Sequence, residues 1–186
     1  MDFLNYLPKP FSKKIIAVRA FFTSNVNLFL LLWLAWMLFP LFLSGFISDD
    51  AYNSQIQGIL LYNNISLFDR IVSEISYWLN LGRFNPLNWI FWYSYFYLLP
   101  SLLLFKLFAF FIIYLNLIYF EKILKFLTQS GSFSYCVVFL LPILFQFRYW
   151  HDPFLAFASI PLACLLFFFS LYLMIRYIET AKTAYY

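Results

Sequence analysis

Charged residues are scarce in this sequence. Only 11% of its 186 residues are Asp, Glu, Lys or Arg, whereas 65% are hydrophobic. A soluble domain averages about a quarter charged residues, and the apolar runs here reach the roughly 20 residues that one membrane-spanning helix needs. The composition therefore excludes an ordinary soluble domain and predicts an all-α fold, a polytopic transmembrane helical bundle in a lipid bilayer.

Cysteine and glycine are also scarce. Cys136 and Cys164 both fall in apolar segments, so we expect small buried hydrophobic side chains there and no disulfide or metal site. The four glycines form no Gly-rich phosphate loop. The net charge of +4 does not indicate a nucleic-acid partner, because the lysines and arginines lie at segment ends, where they set membrane orientation.

The apolar pattern predicts four spans within a single transmembrane domain covering residues 1–186. They lie at about residues 26–47, 98–120, 133–147 and 154–175. Residues 48–88 form the large loop, and 121–130 a short one. Lys106 then lies mid-span, where it must snorkel or face a polar cavity.

The large loop is expected to contain amphipathic interfacial helices. In "SLFDRIVSEISYWLN" the apolar residues recur every three or four positions, which predicts a helix lying flat on the membrane, with its charged residues, Glu74 among them, on the wet face. Ser66 is its expected N-cap, and Asp69 lies in its first turn. The aromatic stretch "NPLNWIFWYSYFY" that follows is typical of the headgroup belt.

The basic residues predict the orientation. Eight lie in the N-terminal segment, the 121–130 loop and the C-terminal tail, and three lie on the opposite side. Because basic residues are enriched in cytoplasmic loops, both termini are expected in the cytoplasm and the 48–88 loop outside.

Two adjacent carboxylates, Asp49 and Asp50, follow the uncharged stretch from Ala20 to Ser48. One interpretation is a helix start, because Ser48 can cap a helix and first-turn carboxylates stabilise it by about 0.3–1 kcal/mol each. The other is catalytic: one carboxylate acts as general base on an acceptor hydroxyl at the membrane face, and the second orients the acceptor or binds a divalent metal ion.

"FRYWHDPF" is the second candidate motif. It places Arg148, His151 and Asp152 on the same outer side as the acidic pair. One interpretation is an interfacial turn, in which Asp-Pro separates two helices. The other is a substrate site, where Arg148 binds phosphate or pyrophosphate and the other two residues shape the substrate pocket. A metal site with the acidic pair has suitable ligand types, but no spacing in the sequence brings the residues together.

The first outer loop resembles that of a known family. The pattern "DD…G…W…GR-x-x-P" after a first span resembles the GT-C glycosyltransferases, and among them the O-antigen glucosyltransferases. The resemblance covers about residues 26–90. The matching positions are Asp49, Asp50, Gly58, Trp78, Gly82, Arg83 and Pro86.

The resemblance implies a bacterial inner-membrane enzyme that moves a sugar from a polyprenyl-phosphate donor to an extracytoplasmic glycan or lipid acceptor. It implies that Asp49 or Asp50 is the catalytic base and that Arg83 contacts a donor phosphate. GT-C enzymes have more spans than the four expected here, so the chain would be the N-terminal portion of such an enzyme or a reduced relative. The alternative is a non-catalytic polytopic membrane protein, either an assembly partner of a second membrane chain or a truncated remnant.

Overall fold

The computed structural model describes residues 21, 24–43, 45, 49–84, 86–144 and 159–184. All regular elements in these ranges are α-helices, which confirms the all-α prediction. In chain order they are α1 (Val26–Phe42), α2 (Asp49–Asn53), α3 (Ile56–Asn63), α4 (Leu67–Asn80), α5 (Pro86–Leu98), α6 (Leu102–Thr128), α7 (Gly131–Leu144) and α8 (Ser159–Ala184).

Two of the described helices, α6 and α8, are long and apolar enough to cross a bilayer. Helices α1 and α7 are apolar but shorter, with 17 and 14 residues, and one span needs about 20. These helices support a membrane protein, while the four-span arrangement stays a prediction.

Helices α6 and α8 run side by side in the same direction. Near the start of α8, the carbonyl of Pro161 accepts a hydrogen bond of 2.8 Å from Asn116 Nδ2 of α6. Further along, Phe120 and Phe168 pack with ring centroids 5.4 Å apart. Asn116 lies about halfway along α6. The N-terminal half of α6, roughly 20 Å long, therefore extends past the start of α8.

The central core lies where α1 and α7 pack against α6. On α1, buried leucines recur every fourth residue and so form one face of the helix. The buried members of this core are Leu30, Leu34, Leu38, Phe110, Ile113, Leu117 and Val138. Trp33 donates from Nε1 to the carbonyl of Phe139 at 2.9 Å, which joins α1 to α7 and satisfies a polar group in apolar surroundings.

Residues 49–84 of the predicted loop fold with α5 into a layer that has its own core. Its buried members are Ile56, Leu60, Ile71, Trp92, Tyr93, Phe96 and Phe105. Phe105 belongs to α6, and its ring stacks on Phe96 of α5 with centroids 4.9 Å apart. The layer is therefore attached to the first turn of the long apolar helix.

The predicted amphipathic helix is confirmed as α4. The backbone N–H of Asp69 donates to Ser66 Oγ at 3.1 Å, and the N–H of Ser66 donates to Asp69 Oδ2 at 3.3 Å. This reciprocal capping box satisfies donors that a helix start otherwise leaves unpaired.

Helix α6 is offset from the second predicted span. Leu99 and Pro100 lie outside the helices, because a proline disfavours the helical conformation of the residue before it, and α6 starts at Leu102. Lys106 lies about one turn into α6 and is fully buried in the protein interior. The helix continues to Thr128, so most of the predicted 121–130 loop is helical.

The prediction that the two cysteine side chains are buried is wrong. Cys136 and Cys164 are free, but both side chains are exposed on the protein surface. Lipid tails are as apolar as a protein core. An apolar segment therefore does not reveal which of its positions face the protein interior.

Candidate functional site

The acidic pair lies at the start of a short helix. Helix α2 begins at Asp49 and ends at Asn53, so the residues of the pair occupy its first turn, as the helix-start interpretation predicts. The positions of the two carboxylates, and Ser48, lie outside what the structure describes.

The end of helix α2 adjoins the core of the loop layer. Asn53, its last residue, is buried, and Ile56 at the start of α3 is part of that core. The acidic helix thus leads directly into the layer that attaches to the start of α6.

A hydrogen-bonded cluster joins α4 to α5. Arg70 Nη2 forms an ion pair with Glu74 Oε1 and donates to the hydroxyl of Tyr93 at 3.3 Å. The guanidinium carbon of Arg70 lies 5.5 Å from the Tyr93 ring centroid. Burial raises the pKa of Tyr93 to about 12, so the phenol stays protonated at neutral pH.

This cluster corrects the expectation that Glu74 lies on the wet face of the helix. Both Arg70 and Glu74 are half-buried against α5. The physical reason is the buried Tyr93, whose hydroxyl needs hydrogen-bond partners that α4 supplies. Periodicity within α4 alone does not show a polar partner on another helix.

Three tryptophans form a stack between α4 and α5. Trp78 and Trp89 are stacked with ring centroids 5.6 Å apart, and Trp89 and Trp92 with centroids 5.8 Å apart. The guanidinium of Arg83 covers the outer end of the stack, 5.1 Å from the Trp78 ring centroid. The sequence predicted that these aromatic residues lie at the membrane surface. It did not predict the stack, which depends on how α5 packs against α4.

The "W-x-x-x-G-R" part of the family-like pattern forms a helix C-terminus. The N–H of Arg83 donates to the carbonyl of Trp78 at 2.8 Å, and the N–H of Gly82 donates to that of Leu79 at 2.9 Å. Gly82 has a φ of +76°, a backbone conformation that favours glycine. These are the two hydrogen bonds of a Schellman motif. Spacing within this part of the pattern is therefore explained by helix capping, and the motif presents an exposed Arg83 at a fixed position.

An open groove of about 620 Å³ lies beside the loop layer. Leu60 and Leu67 contribute apolar surface to it, and Gln57 and Asn64 contribute side-chain amides. Gln57 Nε2 donates to the carbonyl of Tyr97 at 2.9 Å, which holds α3 against the end of α5. Sequence reasoning missed this groove, since no motif marks residues on three different helices that line one cavity.

The remaining predicted site residues are not placed. Arg148, His151 and Asp152 lie in residues 145–158, outside the described ranges, so whether they meet the acidic pair stays a prediction. Across the described part of the chain, no group of three or more His, Cys, Asp and Glu side chains is close enough to hold a metal ion.

No protein-family model matches the chain, and neither a curated protein nor a solved structure matches it. The resemblance to the GT-C glycosyltransferases therefore stays a prediction from sequence.

Proposed function

We propose that the chain is a membrane glycosyltransferase, or the N-terminal part of one, of the GT-C type. It moves a sugar from a polyprenyl-phosphate donor to an extracytoplasmic glycan or lipid acceptor. In this proposal the chain forms four spans in a bacterial inner membrane, with both termini in the cytoplasm.

One observation carries the proposal: the acidic helix α2 is followed directly by a helix whose core residues pack on the start of the long apolar helix. Phe105 of α6 and Ile56, three residues after α2, belong to one core. A lipid-linked donor keeps its phosphate at the headgroup level of a bilayer, so a base that serves it must be held near the end of a membrane helix. We propose that helix α2 is held at that level, because the helix that follows it shares a core with the first turn of α6.

The proposed reaction uses one carboxylate of the pair as general base. Asp49 or Asp50 takes the proton of an acceptor hydroxyl, and the oxygen attacks the anomeric carbon of the sugar. The bond between that carbon and the phosphate oxygen breaks, the electron pair leaves with polyprenyl phosphate, and the configuration inverts. A divalent metal ion on the second carboxylate is compatible with this scheme but not required by it.

The other site residues take supporting roles in the proposal. Arg83 binds a phosphate oxygen of the donor, because a guanidinium presents paired donors to phosphate. Its fixed place at the end of α4 and its exposure leave it accessible to a ligand. Arg148 is a second phosphate contact, and His151 with Asp152 shapes the sugar pocket.

The test compares cell-surface glycans in a deletion strain that carries the full chain or its variants. Asp49→Asn and Asp50→Asn are expected to lose the glycan that the wild type restores, at unchanged protein abundance. Asp69→Asn is the matched control, since Asp69 is also a first-turn carboxylate and forms the capping box of α4. If both site variants restore the glycan fully, the catalytic assignment is wrong.

The second candidate is a non-catalytic membrane protein, and the helix start at Asp49 favours it. On this alternative the acidic pair only stabilises α2, and the site substitutions cost about 1 kcal/mol at most. A second membrane chain would then carry the activity. The same experiment separates the two proposals, since only the first predicts a glycan loss that exceeds that of Asp69→Asn.

A further inference from the structure

Helix α4 has three faces rather than two. One face packs on α5 through Ile71, Ile75 and Trp78, which are buried or half-buried. A second face is polar and exposed; its residues are Asp69, Ser73, Ser76 and Asn80. Between them lies an apolar stripe of Phe68, Val72 and Leu79, whose side chains are 72%, 43% and 53% exposed.

The spacing of the stripe places its three members on one side of the helix. They are four and seven residues apart, and these separations return to the same side of a helix. Single exposed apolar residues are ordinary on protein surfaces. Three of them aligned along an amphipathic helix instead mark a surface that meets another apolar phase.

The surroundings of the stripe indicate which phase that is. The layer that contains α4 is joined to the first turn of α6 by the stacked rings of Phe96 and Phe105. At that end of α6, Leu103 and Leu104 are exposed as well. The apolar stripe thus belongs to a layer anchored at the end of a helix that is long and apolar enough to cross a bilayer.

The distribution of charge around the stripe also indicates contact with a bilayer. The stripe itself contains no charged residue, and Arg70 and Glu74 are turned away from it onto α5. At the C-terminal end of the helix, the exposed Arg83 lies over Trp78. Indole and guanidinium groups are typical of the headgroup region, where an apolar body meets a polar boundary.

We propose that the Phe68–Val72–Leu79 stripe is embedded in the bilayer surface at which α6 begins. Helix α4 lies parallel to that surface, with the stripe at the boundary between headgroups and acyl chains and with Ser73 and Ser76 in water. This inference does not rest on the proposed function, because it concerns the lipid contact of the layer and not its chemistry.

Spin labels on the full chain in phosphatidylcholine–phosphatidylglycerol liposomes test the proposal. The two native thiols are first removed by Cys136→Ala and Cys164→Ala, and single cysteines are then introduced on the two exposed faces. The stripe variants are Phe68→Cys, Val72→Cys and Leu79→Cys, and the matched controls are Ser73→Cys and Ser76→Cys. All five positions are exposed, so the labels leave the packed face of α4 intact; unchanged circular dichroism checks this.

Collision rates with oxygen, which concentrates in lipid, and with a water-soluble nickel chelate distinguish the environments. At the three stripe positions we expect frequent collisions with oxygen and rare collisions with nickel, and the reverse at the two serine positions. Frequent collisions with nickel at the stripe would place it in water and overturn the proposal. Rare collisions with both reagents would also overturn it, since they would show that protein, such as a second copy of the chain, covers the stripe.

Discussion

The backbone N–H of Arg83 donates to the carbonyl of Trp78 at 2.8 Å, while the guanidinium of the same residue lies 5.1 Å from the Trp78 ring centroid. Backbone and side chain thus join the same two residues. A Schellman motif commonly has an apolar contact between its C3 and C″ residues. Here the cation–π contact takes that place, so the end of α4 positions a cation and an aromatic ring together.

The first prediction concerns Gly82, whose φ of +76° ends α4. Gly82→Ala is expected to destabilise the chain by about 1–2 kcal/mol, because an L side chain is disfavoured in this conformation. No atom lies within 4 Å of the added Cβ, so the cost comes from the backbone alone. SDS-induced unfolding of the purified chain measures the change.

Gly58→Ala is the matched control for this prediction. Gly58 lies inside α3, and its added Cβ also meets nothing within 4 Å. Alanine is favoured over glycine in a helix by about 1 kcal/mol, so this variant is expected to be more stable than the wild type. Equal effects at the two glycines would contradict the proposed helix C-terminus.

The second prediction concerns pH. Burial raises the pKa of Tyr93 to about 12 from an ordinary value of about 10, so the folded chain holds this proton more tightly than the unfolded chain. The resulting stabilisation is fully present below pH 10 and is lost as the pH rises through 12. The wild type is expected to exceed Tyr93→Phe in stability by about 1 kcal/mol at pH 8. That difference should shrink between pH 10 and 12.

Unfolding of both proteins measured across pH 8–12 checks this prediction. Tyr62→Phe, which removes the hydroxyl of a highly exposed side chain, controls for general effects of alkaline pH. A stability difference that stays constant between pH 10 and 12 would show that the Tyr93 phenol is not buried in the α4–α5 contact.

The third prediction compares two tryptophans on α1. Trp33→Phe removes the hydrogen bond to the carbonyl of Phe139 and is expected to cost about 1 kcal/mol, since hydrogen bonds between membrane helices average about 0.6 kcal/mol and some packing is lost. Trp36→Phe changes a side chain that is 76% exposed and is expected to cost less than 0.5 kcal/mol, in the range of about ±0.5 kcal/mol for surface changes. Similar losses for the two variants would mean that α1 does not pack on α7 as described.

The sequence predicted the features that depend on local chemistry. The N-cap at Ser66 and the amphipathic period of α4 were correct, because both are properties of a few neighbouring residues. The break between α5 and α6 is local as well, because Pro100 restricts the residue before it.

The features that depend on tertiary packing did not follow from the sequence. The half-burial of Glu74 requires Tyr93, which lies 19 residues further along the chain on another helix. The exposure of Cys136 depends on which side of an apolar helix packs on the rest of the protein. The protein-facing and the outward-facing sides of that helix are both apolar, so hydropathy does not distinguish them. For the acidic pair, the sequence predicted the helix start, and the catalytic role stays a prediction.

The central claim is that Asp49 or Asp50 is the base of a sugar transfer from a polyprenyl-phosphate donor. Membranes that contain the full chain are supplied with polyprenyl-phosphate-linked radiolabelled hexoses, one hexose at a time, and incorporation into the extracted glycan and lipid fractions is measured. The account predicts transfer of at least one sugar, lost in the Asp49→Asn/Asp50→Asn double variant and retained in Asp69→Asn. Equal transfer by the double variant and the wild type, or no transfer of any sugar by the wild type, would contradict it.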